Sequence, residues 1–270
     1  MSSAIAVTIA GSDSSGGAGI EADLKTFSAL GVYGAAVITA LTAQNTKGVF
    51  GILDVPAEFI AAQIAAVFTD LEIGAVKIGM LGSAGAIDSV AAALDRYRPH
   101  HVVLDPVMVA TSGERLLDAD AIGRLRELIS RVHIVTPNLP EAAALLDAPQ
   151  ARDEKEMRAQ AETLLKLGVG AVLIKGGHLN DDLAAGGESV DLLVEAGGCV
   201  RLAAPRVATK NTHGTGCTLG AAIAAGLAKG LALEAAAKEA KTYVSVAIAA
   251  ADRLRVGSGR GPVHHFHAWW

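Results

Sequence analysis

The stretch HVVLDPVM, His101–Met108, decides how the rest of the chain is read. Val102, Val103 and Leu104 run without polar alternation, so a strand there is buried on both faces. Asp105 ends the apolar run and Pro106 stops the strand. The same grammar recurs in AIAVTIAG (Ala4–Gly11), AVKIGM (Ala75–Met80), VHIVTPN (Val132–Asn138) and AVLIKGG (Ala171–Gly177). Helical spacing separates these runs: from about Gly19 to Leu30, from Pro56 to Leu71, Ser83–Tyr97, Leu117–Ile129, from Leu139, and Glu154–Leu167. The segment 33–55 reads as strand and loop, and SVDLLVE with CVRLAAPRV as a hairpin. Gly216–Lys229 and Leu233–Arg253 read as closing helices. Strands buried on both faces, alternating with helices, predict an α/β fold with a mainly parallel sheet covered on each side. The 270 residues show no repeat, low-complexity segment or linker, so 1–270 is read as a single domain.

Composition narrows the partners. Hydrophobic residues make up 51% and aromatics only 4%, which predicts a core of small aliphatic side chains on closely packed elements. The net charge of -5, with no block of like charge, argues against nucleic acid. The amino terminus lacks the basic start of a secretory signal, and no apolar run is long enough to span a membrane. Cys199 and Cys217 stand in unrelated contexts, so no disulfide framework is expected and a reducing cytoplasm is the natural setting.

In an open parallel sheet, ligands bind beyond the carboxyl ends of the strands, and the polar clusters of this chain lie there. GSDSSGG follows the first strand, but neither the dinucleotide fingerprint nor the G-K-[ST] phosphate loop is present. Asp105 is either a turn residue or a carboxylate for Mg²⁺. Asn138 and Glu141 have the spacing of a capping box, and a metal or phosphate role for Glu141 gains weight beside Asp105. Lys175 either snorkels to solvent or meets a phosphate. NTHGTGCTLG, from Asn211, brings glycines and backbone N–H groups to a helix N-terminus, an anion-binding arrangement. The same field lowers a thiol pKa, so Cys217 is read as a partial thiolate or as small buried filler. Cys199 fits the inert description. Together these clusters fit phosphoryl transfer, which needs positioning and charge neutralisation more than covalent chemistry.

The segments TIAGSDSSGGAGIEADLKTFSALGVYG, TALTAQNTKGV, KIGMLGS, VLDPVMVATSG, TPNLPEA, IKGGH, THGTGCTLGAAIAAGLAKG and GSGRGPVHHFH give the chain its resemblance. It resembles, end to end, the hydroxymethylpyrimidine/phosphomethylpyrimidine kinases of thiamine biosynthesis in the ribokinase-like superfamily. That resemblance implies a three-layer α/β/α fold and an ATP- and Mg²⁺-dependent homodimer. It implies two successive phosphorylations, of 4-amino-5-hydroxymethyl-2-methylpyrimidine and of its monophosphate. Carried over by motif, Gly11, Asp23 and Gln44 line the pyrimidine pocket, with Met80 and Val107 as apolar walls. Asp105 and Glu141 fall on the Mg²⁺ side. Lys175, Asn138 and Thr215 fall on the ATP side. Gly214 and Gly216 form the anion hole, and Cys217 stands where many relatives place an aspartate base. A pyridoxal or pyridoxine kinase, or a dual-substrate enzyme, is the alternative, and the paired donor and acceptor of Gln44 weigh against pyridoxal as the sole substrate. His213 either steadies phosphate or shapes the turn. The tail VHHFHAWW, with His264, His265 and His267, is expected to be exposed.

Overall fold

The computed structural model describes residues 3–109, 116, 121–177 and 187–270. The strands are β1 (Ile5–Asp13), β2 (Tyr33–Asn45), β3 (Gly48–Asp54), β4 (Ala75–Ile78), β5 (Val102–Leu104), β6 (Ile134–Val135), β7 (Ala171–Lys175), β8 (Glu188–Glu195) and β9 (Gly198–Pro205). They form one sheet in the order β3-β2-β1-β4-β5-β6-β7-β8-β9. From β2 through β7 all neighbours are parallel. The antiparallel pairs β2–β3 and β7–β8–β9 extend the edges.

The helices are α1 (Gly19–Ala29), α2 (Ala57–Phe68), α3 (Ala84–Tyr97), α4 (Ala121–Ile129), α5 (Leu139–Leu146), α6 (Glu154–Leu165), α7 (Thr215–Ala228) and α8 (Leu233–Ala249). Successive strand residues enter opposite cores. Val102 and Leu104 pack with α2 to α6, whereas Val103 packs with α1, α7 and α8. Hence both faces of the parallel strands had to be apolar, and the fold is the three-layer α/β/α sandwich. Local chemistry sets several helix starts. Ser83 caps α3 by accepting from Ala86 N, and Asp153 caps α6 by accepting from Glu156 N. Every residue of α7 from Thr218 to Leu227 is buried. The alanines and glycines of this helix let it lie directly on the sheet between α1 and α8.

The structure shifts several expected boundaries. Only Val102–Leu104 of the opening stretch joins the ladder. The helix expected from Leu117 is described from Ala121, and 117–120 lie outside the described residues, as do residues 110–113 and His178 of the quoted motifs. The last helix ends at Ala249, and Ala251–Arg253 form a single 3₁₀ turn. Pro56 occupies the N-cap rather than the first turn of α2.

The expected exposed tail is corrected. His264 and His265 are buried, at 2% and 5% exposure. His264 N donates to Ala247 O, the Tyr243 hydroxyl donates to His265 O, and His265 Nε2 lies 3.1 Å from Thr218 Oγ1. The tail is thus a strap over the start of α7, held by backbone hydrogen bonds that an exposed segment would give to water. Only its last residues, with Trp269 and Trp270, are exposed. Among the described residues no set of three His, Cys, Asp or Glu converges as a metal site, and no helix is long and apolar enough to cross a membrane.

Candidate active site

The crevice is built at the carboxyl ends of β1, β4, β5, β6 and β7. Each strand end is tied to the next: Gly11 N to Met80 O, Asp105 N to Ile78 O, Thr136 N to Leu104 O, and Lys175 N to Pro137 O, all at 2.8–3.0 Å. Asp105 and Lys175 therefore emerge from a rigid rim, and the N-terminus of α7 faces them.

Gly214 caps α7 with φ +78°, and a Cβ there would stand 1.9 Å from Gly17 O. Both the backbone conformation and the close approach require glycine. At Gly216 a Cβ would stand 3.2 Å from Lys175 Nζ and 3.5 Å from Asp105 Oδ2, so the first turn of α7 lies against these side chains. The first amides of a helix have no acceptor within it, and the helix dipole adds positive potential. Thr215 does not extend its hydroxyl into the crevice, because Oγ1 donates to Thr212 O at 2.7 Å.

A row of charged groups lies under this turn. Lys175 Nζ is 2.7 Å from Asp105 Oδ1 and 3.8 Å from Glu141 Oε2. Asn138 and Glu141 form the full capping box: Asn138 N donates to Glu141 Oε2 at 2.7 Å, and Glu141 N donates to Asn138 Oδ1 at 2.8 Å. Burial raises the Glu141 carboxyl, Lys175 pulls it back, Asp105 raises it further, and it comes to rest at about 7. Deeper still, Lys77 Nζ and Asp23 Oδ2 pair at 2.8 Å with both side chains fully buried, and the Thr8 hydroxyl donates to the same oxygen.

Asp23, put in the pyrimidine pocket by the resemblance, has its side chain fully buried in the pair with Lys77. Its Oδ1 is buried without a hydrogen-bond partner. Of the two readings of Cys217, a partial thiolate or small buried filler, burial favours the second, pushing its thiol up to about 11. Lys77 and the Gly19 N–H act in the other direction, while Asp23 and Asp105 add to the rise. The helix dipole is outweighed chiefly by this burial, with the two carboxylates adding to it.

The first loop is organised by Asp13, which the sequence reading missed. Its carboxylate accepts from the backbone N–H groups of Ser15, Gly17 and Ala18 and pairs with His213 Nε2 at 2.7 Å. Burial would raise its pKa, but the hydrogen bonds from His213 and Ser15 prevail and hold it at about 2. His213 thus joins the first loop to the α7 turn. Gln44 Oε1 accepts from Thr42 Oγ1 at 3.1 Å, and Gln44 Nε2 lies 3.4 Å from His213 Nε2. A cleft of about 490 Å³ opens here, lined by Gln44, Lys47, Lys210, His213 and Arg260 among others. Met80 is buried and Val107 half-buried at the neighbouring strand ends. The other missed residue is Lys77. Its signal was a lone lysine inside the apolar run AVKIGM.

The chain has close counterparts among known proteins. The family model described as phosphomethylpyrimidine kinase matches residues 13–264. A hydroxymethylpyrimidine/phosphomethylpyrimidine kinase of Rhizobium meliloti is 58% identical over 268 residues, covering 99% of this chain and 98% of that protein. Among solved structures, an ADP complex of Bacillus subtilis pyridoxal kinase superposes with a TM-score of 0.90 at 33% identity, covering 99% of both chains. A phosphomethylpyrimidine kinase of Clostridium difficile 630 superposes with a TM-score of 0.79 at 44% identity, covering 90% of this chain and 99% of that one. The ribokinase-like α/β/α architecture and the end-to-end match lead to one conclusion: the chain belongs to the phosphomethylpyrimidine kinase family.

Proposed function

We propose that this chain transfers the γ-phosphoryl group of ATP to 4-amino-5-hydroxymethyl-2-methylpyrimidine and then to the monophosphate so formed. The observation that carries this reading is the proximity of Gln44 to His213, whose ring is tied to Asp13 and which leads directly into the α7 turn holding Cys217. It sets a group able to read an aminopyrimidine edge beside a phosphate-receiving turn. Gln44 offers a donor and an acceptor side by side. The amides of Gly214–Cys217 receive the transferring phosphate, and Lys175 neutralises its charge.

The donor set fits Mg²⁺. Asp105 and Glu141 are hard oxygen ligands that already converge on one cation, Lys175 Nζ, and Mg²⁺ commonly takes one or two carboxylates together with substrate phosphates. When bound there it would offset negative charge on the phosphates. Asn138 holds Glu141 in place through the capping box and so supports that site. Cys217 stands at the head of the turn, where it accepts the proton of the hydroxymethyl group.

A homodimer is the assembly we infer; the exposed Tyr33, Phe50 and Leu53 on the edge hairpin β2–β3 support it. The pyridoxal kinase reading rests on the likeness to the Bacillus subtilis enzyme. Steady-state kinetics with ATP and three acceptors, the pyrimidine, its monophosphate and pyridoxal, separate the two. Turnover of both pyrimidines is expected, and failure on either overturns the proposal.

A further inference from the structure

Lys77 stands in the middle of β4 between Val76 and Ile78, fully buried at the centre of the sheet. Strand periodicity turns it to the same face as Ala75, towards α1 and α7. Space is kept for it on two sides. A Cβ at Gly79 would stand 2.7 Å from its Nζ, and a Cβ at Gly220 would stand 3.5 Å from its Cε. Gly220 follows Cys217 on α7 by three residues, so it lies on the same helix face. The lysine stem therefore runs under the helix turn that carries the thiol. A buried ion pair is a weak source of stability, since apolar residues of similar volume serve as well or better. The Asp23–Lys77 pair thus calls for a use other than holding the core together.

We propose that Lys77 is a positioning residue for proton removal: its ammonium, fixed by Asp23 beneath the first turn of α7, stabilises the thiolate form of Cys217. In the first phosphorylation the thiolate sulfur takes the proton of the acceptor hydroxyl. The hydroxyl oxygen bonds to the γ-phosphorus, the bond to the ADP oxygen breaks, and the thiol later returns its proton to water. The charged groups facing Cys217 are Lys77 from β4, Asp23 from α1, Asp105 after β5 and Lys175 from β7, with the Gly19 N–H beside them. Removing Lys77 takes away a cation that favours the thiolate and leaves Asp23 and Asp105, which oppose it, so the thiolate becomes harder to form. Removing the charge of Asp23 leaves Lys77 for the thiolate alone, so it becomes easier. Lys77 itself stays charged: burial opposes its ammonium, but Asp23, Cys217 and Asp105 hold its pKa above the ordinary lysine range.

The inference rests on the kinase reading for its kinetic arm only. Rates of iodoacetamide alkylation of Cys217 would be measured against pH in the full chain, by mass spectrometry, in a Cys199→Ser background. This arm needs no turnover. Lys77→Met is expected to slow alkylation at pH 8 by at least tenfold and to move the profile to higher pH. Asp23→Asn is expected to speed it at least threefold and to move the profile to lower pH. Structural damage would move both variants the same way. Profiles that coincide with the parent, or that both shift in one direction, overturn the inference. Should Lys77→Met fail to fold by circular dichroism, Asp23→Asn decides alone, with an unchanged or slowed rate counting against it. In the kinetic arm, the pH dependence of kcat/KM should shift in the same directions for the pyrimidine alcohol and stay in place for its monophosphate. Opposed alkylation shifts without pyrimidine turnover by the parent would sink the function reading and leave this one standing.

Discussion

Replacing Cys217 with alanine separates the two phosphorylations. With the thiol at about 11, pH 7.5 lies roughly 3.5 units below its midpoint, and about one molecule in 3,000 carries a thiolate. If that thiolate is the base, kcat/KM for the pyrimidine alcohol should rise about tenfold per pH unit from 6.5 to 9, with no plateau near neutrality. The monophosphate behaves differently. A phosphate monoester loses its second proton near ~6, so the nucleophile arrives ionised and its rate should be flat above about pH 7. Cys217→Ala should therefore cost the first step about 10²–10⁴ in kcat/KM, the usual worth of a general base, and the second step less than about tenfold. The assay is coupled ADP release, with each acceptor supplied separately over the pH series. Equal losses in both steps, or a flat profile for the alcohol in the parent enzyme, would refute the proton-removal role and leave Cys217 a positioning group.

Other perturbations test other parts of the site. Gly214→Ala places a Cβ 1.9 Å from Gly17 O at positive φ; kcat should fall at least about 100-fold for both acceptors while circular dichroism shows a folded chain. Gln44→Leu should cost about 1–3 kcal/mol in kcat/KM for either pyrimidine, roughly 5- to 150-fold, and an unchanged value would remove Gln44 from the acceptor site. Glu141, raised to about 7 from an ordinary 4.5, contributes stability below about pH 4.5 that is lost as pH rises through 7. Mg²⁺ favours its ionised form, so the gain in Tm on adding Mg²⁺ should be larger at pH 8 than at pH 6, and Glu141→Gln should abolish that difference. His265 is depressed by burial to about 3 from 6.5. Its contribution is present above pH 6.5 and is lost as pH falls towards 3, so His265→Asn should narrow the stability gap between pH 8 and pH 5 in thermal melts.

The sheet was legible because strands buried on both faces leave continuous apolar runs, and Val102, Val103 and Leu104 serve two cores at once. Asp105, Glu141 and Lys175 were legible because each stands where an apolar strand gives way to a polar turn. Their mutual geometry was not, since it depends on the register of β5, β6 and β7. Asp13 looked like one polar residue among several in a loop, and only the folded chain brings it to His213. The acidity of Cys217 was not legible for a similar reason. A helix dipole can be inferred from a glycine-rich turn, whereas the burial of the thiol, and after it the fields of Asp23 and Asp105, come from segments distant in sequence. The tail was misread because its composition resembles a surface, and its backbone partner Ala247 lies on another element.

The burial of α7 has a consequence for synthesis on the ribosome. The face of β1, β4 and β5 that this helix covers is complete in sequence by Leu104, yet its cover begins only at Thr215. At translation rates of about 5–20 residues per second, that interval lasts on the order of ten seconds. During it, one apolar face of the parallel sheet has only α1 as cover, or the sheet does not yet assemble. Binding of chaperones to stalled nascent chains should therefore peak for lengths between these two points and fall once α7 and α8 have emerged.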